Sequence, residues 1–412
     1  MTNAIGIFGL AAFVALAWGI SENRRAFPWR TVAAGLALQG TLGWLILRTQ
    51  LGAWFFQQLD GAFRRLLGFA NEGVSMVFGP LANRDLLTEK WGTENAFLFA
   101  VTVTGTIVFV SALSSLLYHY GLLQIVVRAV AWLMRWLMRT SGSESLAAAA
   151  NIFMGQTEAP LLIKPYLATM TRSELMALMV GGMATIAGGV LAAYVSFGIS
   201  AGHLLTASVM SAPAALLMAK ILLPETEVSE TAVASQRRMQ PETVNGIDAL
   251  CLGASDGMKL AINVMAMLIA FVATVALANY LLSLSLRCFG VADAQPLQTV
   301  LAWLNAPFAW LMGVPWHDCQ AIGSILGERI VLNEFIGYLH LSQVKGLQPQ
   351  SITITTYALC GFANFSSIAI QIGGIGALAE GRRQDLARLG VKAMIGGILA
   401  CYCTACIAGL LL

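Results

Sequence analysis

The apolar residues of this chain fall in uninterrupted runs of membrane length, at 4–20, 31–47, 97–117, 177–197 and 264–284. A helix rising about 1.5 Å per residue needs about 20 residues to cross a hydrocarbon core about 30 Å thick. A transmembrane barrel would instead show alternating segments of about ten residues. In lipid every backbone polar group must be satisfied within the protein, so the fold class is an all-α polytopic membrane protein. Composition agrees, with 58% hydrophobic and 11% charged residues where a soluble domain carries about 25% charged. Disorder is excluded, since it needs low hydrophobicity and high charge. The first run has no basic residues before it and leads into Arg24, Arg25 and a second run. It reads as a retained helix rather than a cleaved signal peptide.

The net charge of +3 is loop chemistry and implies no nucleic-acid partner. Cys251, Cys288, Cys319, Cys360, Cys401, Cys403 and Cys406 lie mostly in apolar stretches, where small thiols pack, so no disulfide framework is expected. Cys401, Cys403 and Cys406 have no His or acid beside them and do not read as a metal site.

Cations set the topology. Arg24, Arg25 and Arg30; Arg128, Arg135 and Arg139; Lys220, Arg237, Arg238 and Lys259; and Arg382, Arg383, Arg388 and Lys392 form four groups. The positive-inside rule places all four in the cytoplasm. The segment 286–316, with only Arg287, belongs outside, as does the mixed-charge segment 49–95, in which 54–69 reads as an interfacial helix. These assignments agree if eight helices span, near 4–21, 31–48, 96–117, 173–197, 200–222, 258–284, 352–375 and 391–411. Both termini then lie outside. Two hydrophobic hairpins, 143–168 and 317–342, enter without crossing, and 121–138 and 296–312 lie in the interface.

The first hairpin carries Met154-Gly155-Gln156-Thr157-Glu158-Ala159-Pro160 at its centre. Gly permits a reversal and Pro160 suits the first turn of a new helix, so two half-helices of about ten residues are expected. In the second, Gln320–Leu326 and Ile330–Leu341 are split by Gly327-Glu328-Arg329, and Asn333-Glu334 opens the second half. Each hairpin is followed by a helix with a polar, glycine-bearing middle, Gly182–Val190 and then Gly361–Ser367. Glu158 precedes Thr185 by 27 residues and Glu334 precedes Asn364 by 30. The order span, interfacial helix, hairpin, span, span therefore appears twice. Four units result: 1–95 with two spans, repeat 1 at 96–222, a cytoplasmic linker at 223–257, and repeat 2 at 258–412. Three crossings per repeat make the repeats inverted, the usual basis of alternating access with sites at the midplane among broken helices.

The midplane polar residues are Asn151, Gln156, Thr157, Glu158, Thr185, Glu334, Asn364, Ser366 and Ser367. Carboxylates, amides and hydroxyls with few cations suit a neutral polyhydroxylated substrate, whereas a phosphate or dicarboxylate would call for Arg or Lys. Phe362 offers a face for a flat ring. Asn151, Thr185 and unwound carbonyls make an oxygen-only set for a hard monovalent cation. No Ser or Cys sits with a placed His, so an intramembrane enzyme is not indicated.

Gly155–Pro160, Asn333-Glu334-Phe335 and Gly361–Ser367 resemble the signature segments of the concentrative nucleoside transporter family, in order and spacing over nearly the whole chain. The resemblance implies a sodium-coupled nucleoside symporter, with a substrate such as uridine, forming a homotrimer in the inner membrane. It implies a scaffold that includes the long helix near 258–284, and a mobile transport domain holding both hairpins. By motif, Gln156, Thr157, Glu158 and Val190 would contact the nucleobase. Glu334, Asn364 and Ser367 would hold the ribose, with Phe362 packing beside the nucleoside. Na+ would lie at the Asn151 and Thr185 side chains with carbonyls near Met154, Thr185 and Gly189. A proton in place of Na+, carried by Glu158 or Glu334, is the competing coupling.

The remaining polar groups have plain roles. His119, His203, His317 and His340 fall near span or hairpin ends, Asp318 reads as a helix cap, Glu328-Arg329 as a local pair, and the tryptophans as an interfacial belt.

Overall fold

The computed structural model describes residues 2–92, 98–230, 243–287 and 295–412. Arg237 and Arg238 of the linker, together with Glu94, Phe97 and Cys288, lie outside the described residues. Every regular element among the described residues is helical. The first half of the chain forms α1 (Thr2–Gly19), α2 (Trp29–Arg48), α3 (Gln50–Phe78), α4 (Arg84–Trp91), α5 (Phe99–His119), α6 (Leu122–Met138), α7 (Gly142–Ala150), α8 (Ala159–Leu162), α9 (Arg172–Ala184), α10 (Gly188–Ser196) and α11 (Ala201–Leu222). The second forms α12 (Gly246–Arg287), α13 (Pro296–Leu311), α14 (Trp316–Val331), α15 (Glu334–Gln343), α16 (Pro349–Leu359), α17 (Phe365–Leu378) and α18 (Arg383–Leu411).

Among the described residues, six helices are long and apolar enough to cross a membrane: Trp29–Arg48, Phe99–His119, Arg172–Ser196, Ala201–Leu222, Gly246–Arg287 and Glu380–Leu411. Shorter apolar helices, Ile5–Gly19 and Phe365–Leu378, stand at the remaining two sequence-expected spans. Burial separates the six. The apolar window of Arg172–Ser196 is 94% buried within the protein, that of Gly246–Arg287 only 11%. A helix apolar all round yet uncovered must meet lipid or another protein surface, so α12 lies at the periphery and α9, α11 and α18 form the centre. Gln39 of α2, fully buried, donates from Nε2 to the Met210 carbonyl of α11 and to Thr404 Oγ1 of α18, both at 3.1 Å.

Glycine pairs four residues apart bring two helix pairs into close contact. A Cβ on Gly253 of α12 would lie 2.6 Å from the Ser111 carbonyl oxygen of α5, and one on Gly257 would lie 2.8 Å from Val108 Cα. Gly323 and Gly327 of α14 do the same against α13, where a Cβ would come 2.5 Å from the Ala302 carbonyl oxygen and 2.5 Å from Leu301 Cβ. Without a hydrophobic force between helices in lipid, such small-residue spacing supplies the packing.

That contact corrects the expected second break. Gly327-Glu328-Arg329 does not interrupt a helix; α14 runs through it to Val331. Gly327 is there for lateral packing, and the chain turns instead at Leu332-Asn333. Asn333 is extended, and its side chain accepts from Ile336 N at 3.0 Å, capping α15. The first broken segment also departs from two equal halves. α7 has nine residues, but α8 has four and passes into a 3-10 turn at Lys164–Tyr166. Pro165, lacking an N–H, cannot extend α8. α12 begins at Gly246, well before 258.

Gly327→Ala should lower the Tm of the detergent-solubilised protein, because overpacking costs about 1–3 kcal/mol. Gly68→Ala, where nothing lies within 4 Å of an added Cβ, gains helix propensity alone and should leave Tm unchanged or higher. Equal Tm changes for the two would contradict the packing role.

Candidate functional site

The two broken segments and the two interrupted helices converge on one cavity of about 840 Å³. Its wall takes in the first tip, the start of α10, the start of α15 and the break before α17, closed on the far side by α5 and α12. Local chain chemistry sets each piece. At the first tip, Glu158 Oε2 accepts from Gly155 N at 3.3 Å and the Gly155 carbonyl accepts from Glu158 N and Ala159 N at 3.0 Å. This turns the chain and leaves Thr157 and Glu158 exposed to the cavity. Gly188 N donates to the Phe153 carbonyl at 3.2 Å, binding the tip to the break between α9 and α10.

Glu334 is the buried centre, 5% exposed. Tyr194 OH donates to its Oε1 at 3.1 Å and Asn364 Nδ2 to its Oε2 at 2.9 Å. Asn364 works from both ends, since its Oδ1 caps α17 by accepting from Ser367 N at 2.9 Å and also accepts from Ser366 Oγ at 2.7 Å. Ser367 Oγ accepts from Gln156 Nε2 at 3.1 Å, and Gln156 Oε1 accepts from Gln371 Nε2 at 3.1 Å. Gln371 Nε2 also donates to the Met179 carbonyl at 3.1 Å. One hydrogen-bonded chain therefore runs from α10 through α15 and α17 to the first tip and α9. Among the described residues Glu334 has no ion-pair partner within 4.0 Å. The two cavity-lining lysines are exposed, and Lys259 pairs with Asp256 at 3.0 Å.

All eight residues expected at the substrate, Gln156, Thr157, Glu158, Val190, Glu334, Phe362, Asn364 and Ser367, line this cavity. Of the four expected at the cation, Met154 and Gly189 line it too, whereas Asn151 and Thr185 lie behind its wall. Asn151 follows α7, is fully buried, and neither its Oδ1 nor its Nδ2 has a hydrogen-bond partner. Its Nδ2 lies 3.0 Å from where a Gly181 Cβ would be. Thr185 Oγ1 donates to the Gly181 carbonyl at 2.9 Å, so both side chains flank Gly181 at the end of α9. A buried amide without a protein partner is costly. Its carbonyl beside a hydroxyl and an unwound helix end is the kind of oxygen set a hard monovalent cation takes.

Two buried residues that hold the cavity lining from behind, Tyr194 on Glu334 and Gln371 on Gln156, are not marked by the sequence motifs. Each stands four residues after a recognised position, Val190 and Ser367, and hence on the same helix face; a polar group at that spacing in an apolar run was the available signal. Two minor readings are corrected. Glu328 does not pair with Arg329 but with His340 Nδ1 at 2.8 Å. Asp318 does not cap its own helix; its Oδ2 accepts from Gln348 N at 3.1 Å and Ser351 Oγ at 2.6 Å, at the start of α16. No histidine lines the cavity.

Models of the N-terminal and C-terminal parts of the Na+ dependent nucleoside transporter family match residues 8–81 and 203–409, and a nucleoside recognition (gate) model matches 100–201. The chain belongs to the Na+-dependent nucleoside transporter family. It is 42% identical over 407 residues to the uncharacterized transporter YutK of Bacillus subtilis, covering 98% of each chain. It is 41% identical over 426 residues to sodium/nucleoside cotransporter 1 of Mus musculus, covering 99% of this chain and 63% of that one. Among solved structures, CNTnw in an inward-facing substrate-bound state matches with a TM-score of 0.94 at 39% identity, covering 100% of this chain and 98% of that one. The family resemblance carried by the three motifs is thus shown. This Na+-dependent nucleoside transporter family consists of multi-pass membrane transporters, not enzymes, and sodium is its coupling ion.

Proposed function

We propose that the chain carries nucleosides such as uridine into the cell together with sodium, by alternating access across the inner membrane. The observation that carries this reading is the Glu334 carboxylate. It is buried among neutral donors at the meeting of both broken segments and faces a cavity with room for a nucleoside. Each carboxylate oxygen keeps a further lone pair for vicinal ribose hydroxyls. Asn364 and Ser367 complete the ribose side, Gln156, Thr157, Glu158 and Val190 meet the base, and Phe362 packs beside it. Sodium sits with Asn151 Oδ1, Thr185 Oγ1 and carbonyls near Met154, Thr185 and Gly189. The coupling is reciprocal, each ligand tightening the other by the same factor.

The architecture that goes with this function has eight crossings, two re-entrant hairpins at 143–168 and 317–342, inverted repeats and periplasmic termini. It moves as an elevator-like transport domain on a trimeric scaffold that includes the lipid-facing α12. The cavity wall extends to Tyr118, Lys164, Thr243 and Lys259, in segments whose charge assigns them to the cytoplasm, which favours an inward-open form.

Counterflow of labelled uridine into proteoliposomes, with sodium and pH gradients imposed separately, tests the reading. A sodium gradient should drive accumulation, and a potential of about 100 mV should add roughly 2.3 kcal/mol per translocated charge, close to fiftyfold. Accumulation that follows the pH gradient alone would assign proton coupling, and no uridine movement would overturn the substrate.

A further inference from the structure

Arg329 is the largest side chain fully buried in the protein, at 0% exposure, and no part of the cavity chemistry uses it. Its Nη1 donates to the Ala358 carbonyl at 2.8 Å. Its Nη2 donates to the Gly361 carbonyl at 3.3 Å and to Cys401 Sγ at 3.2 Å, while Nε has no partner. No ion pair among the described residues includes it. A buried guanidinium held by backbone oxygens and a thiol, with no carboxylate within 4.0 Å, is an unusual way to satisfy a full charge. It is how unwound helix ends hold metal cations.

The register makes the parallel specific. In the first repeat the cation-side groups are Asn151 and Thr185, which flank Gly181; Gly181 and Thr185 follow Glu158 by 23 and 27 residues. In the second, the acceptors of Arg329 are Ala358 and Gly361, which follow Glu334 by 24 and 27. Both sets lie at the C-terminal end of the first half of an interrupted helix, α9 and α16, where the helix dipole favours positive charge. Arg329 comes from a similar place in its repeat to Asn151, five residues before Glu334 where Asn151 is seven before Glu158, but it brings the charge itself where Asn151 offers an oxygen to an ion.

From this register we infer that Arg329 is a built-in cation occupying, in the second repeat, the place that a coupling sodium takes in the first. The second repeat then binds no ion of its own, and the coupling ion is left to Asn151 and Thr185. This rests on the inverted-repeat and sodium readings above.

Arg329→Met keeps an unbranched apolar stem without the charge, and Arg329→Lys keeps a charge without the guanidinium plane. Uridine uptake by the Lys variant should stay within about threefold of the parent, with the same sodium dependence. Uptake by the Met variant should fall at least about tenfold, a loss of about 1.4 kcal/mol, and recover in millimolar guanidinium chloride but not in tetramethylammonium chloride. In detergent, without nucleoside or sodium, guanidinium should raise the Tm of the Met variant and not that of the parent. This melting readout needs no sodium coupling, so it separates failure of the inference from failure of the transport reading in the parent. A Met variant that folds only poorly while the Lys variant folds and transports supports the need for charge at this place. The inference is overturned by a Met variant that transports as the parent does. It is equally overturned by a Lys variant that fails to fold or transport, or by a folded Met variant whose uptake and Tm ignore guanidinium.

Discussion

Glu334→Gln is expected to weaken uridine binding and slow initial uptake by at least a hundredfold. The parent carboxylate receives hydrogen bonds from Tyr194 OH and Asn364 Nδ2, on two different helices. A glutamine can keep its carbonyl toward Asn364 Nδ2, but its NH2 then faces Tyr194 OH, which must turn from donor to acceptor, and the oxygen that offered a free lone pair there is lost. The same substitution removes the charge that would strengthen bonds from the two ribose hydroxyls. Charge-assisted bonds are worth roughly 1.5–3 kcal/mol each. Losing two amounts to about 3–6 kcal/mol, or roughly a hundred to ten thousandfold in Kd. Calorimetric titration with uridine and with 2′-deoxyuridine gives the sharper check. The parent should bind the deoxynucleoside more weakly, and the variant should discriminate little between them. A Kd for uridine within about threefold of the parent's would remove Glu334 from the substrate site.

The second large effect concerns Asn151→Ala, and it has two opposite signs. Both polar atoms of Asn151 are buried without protein partners, which costs about 1–3 kcal/mol of stability when no ion is bound. Alanine removes that cost, so the sodium-free variant should melt no lower than the parent. Sodium raises the Tm of whichever protein binds it, by mass action on the native state. That rise should be present in the parent and lost in the variant, with the sodium concentration for half-maximal uptake increased at least about tenfold. Residues that trade stability for binding are expected to break local rules in this way. Parallel sodium-dependent Tm curves for the two proteins would place the ion elsewhere.

Much of the scaffolding was readable from apolar run length, because a bilayer forces helices of a narrow length range. The interruptions at Thr185 and at Gly361–Asn364 were equally visible, since glycine and polar groups inside an apolar run have few structural uses. What stayed hidden was anything decided by a neighbour. Gly327 carries the same letter whether it breaks a helix or admits Leu301, and only the presence of α13 chooses. Arg329 beside Glu328 suggests a pair, yet their side chains leave α14 in different directions, toward α16 and α18 in one case and His340 in the other. By sequence Tyr194 is one more aromatic in an apolar helix, and only the packing of α15 brings Glu334 against it. Among the site residues, those at chain reversals announced themselves, and those on regular helix faces did not.

The length of α12 has a practical consequence for motion. Its 42 residues make a straight helix about 63 Å long, roughly twice the hydrocarbon thickness, and no tilt in the usual range of about 0–40° would hide it. The end bearing Asp248, Asp256 and Lys259 must therefore stand in water while the rest crosses lipid, as one unbroken rod. Such a rod is a graduated scale, marked every 1.5 Å or so by a residue. The residues of α12 that face the cavity, among them Gly253, Asp256, Leu260, Val264 and Met267, recur about once per 5.4 Å turn, so vertical travel of the first tip is counted in turns by cross-linking a single cysteine at Thr157 to cysteines at these positions.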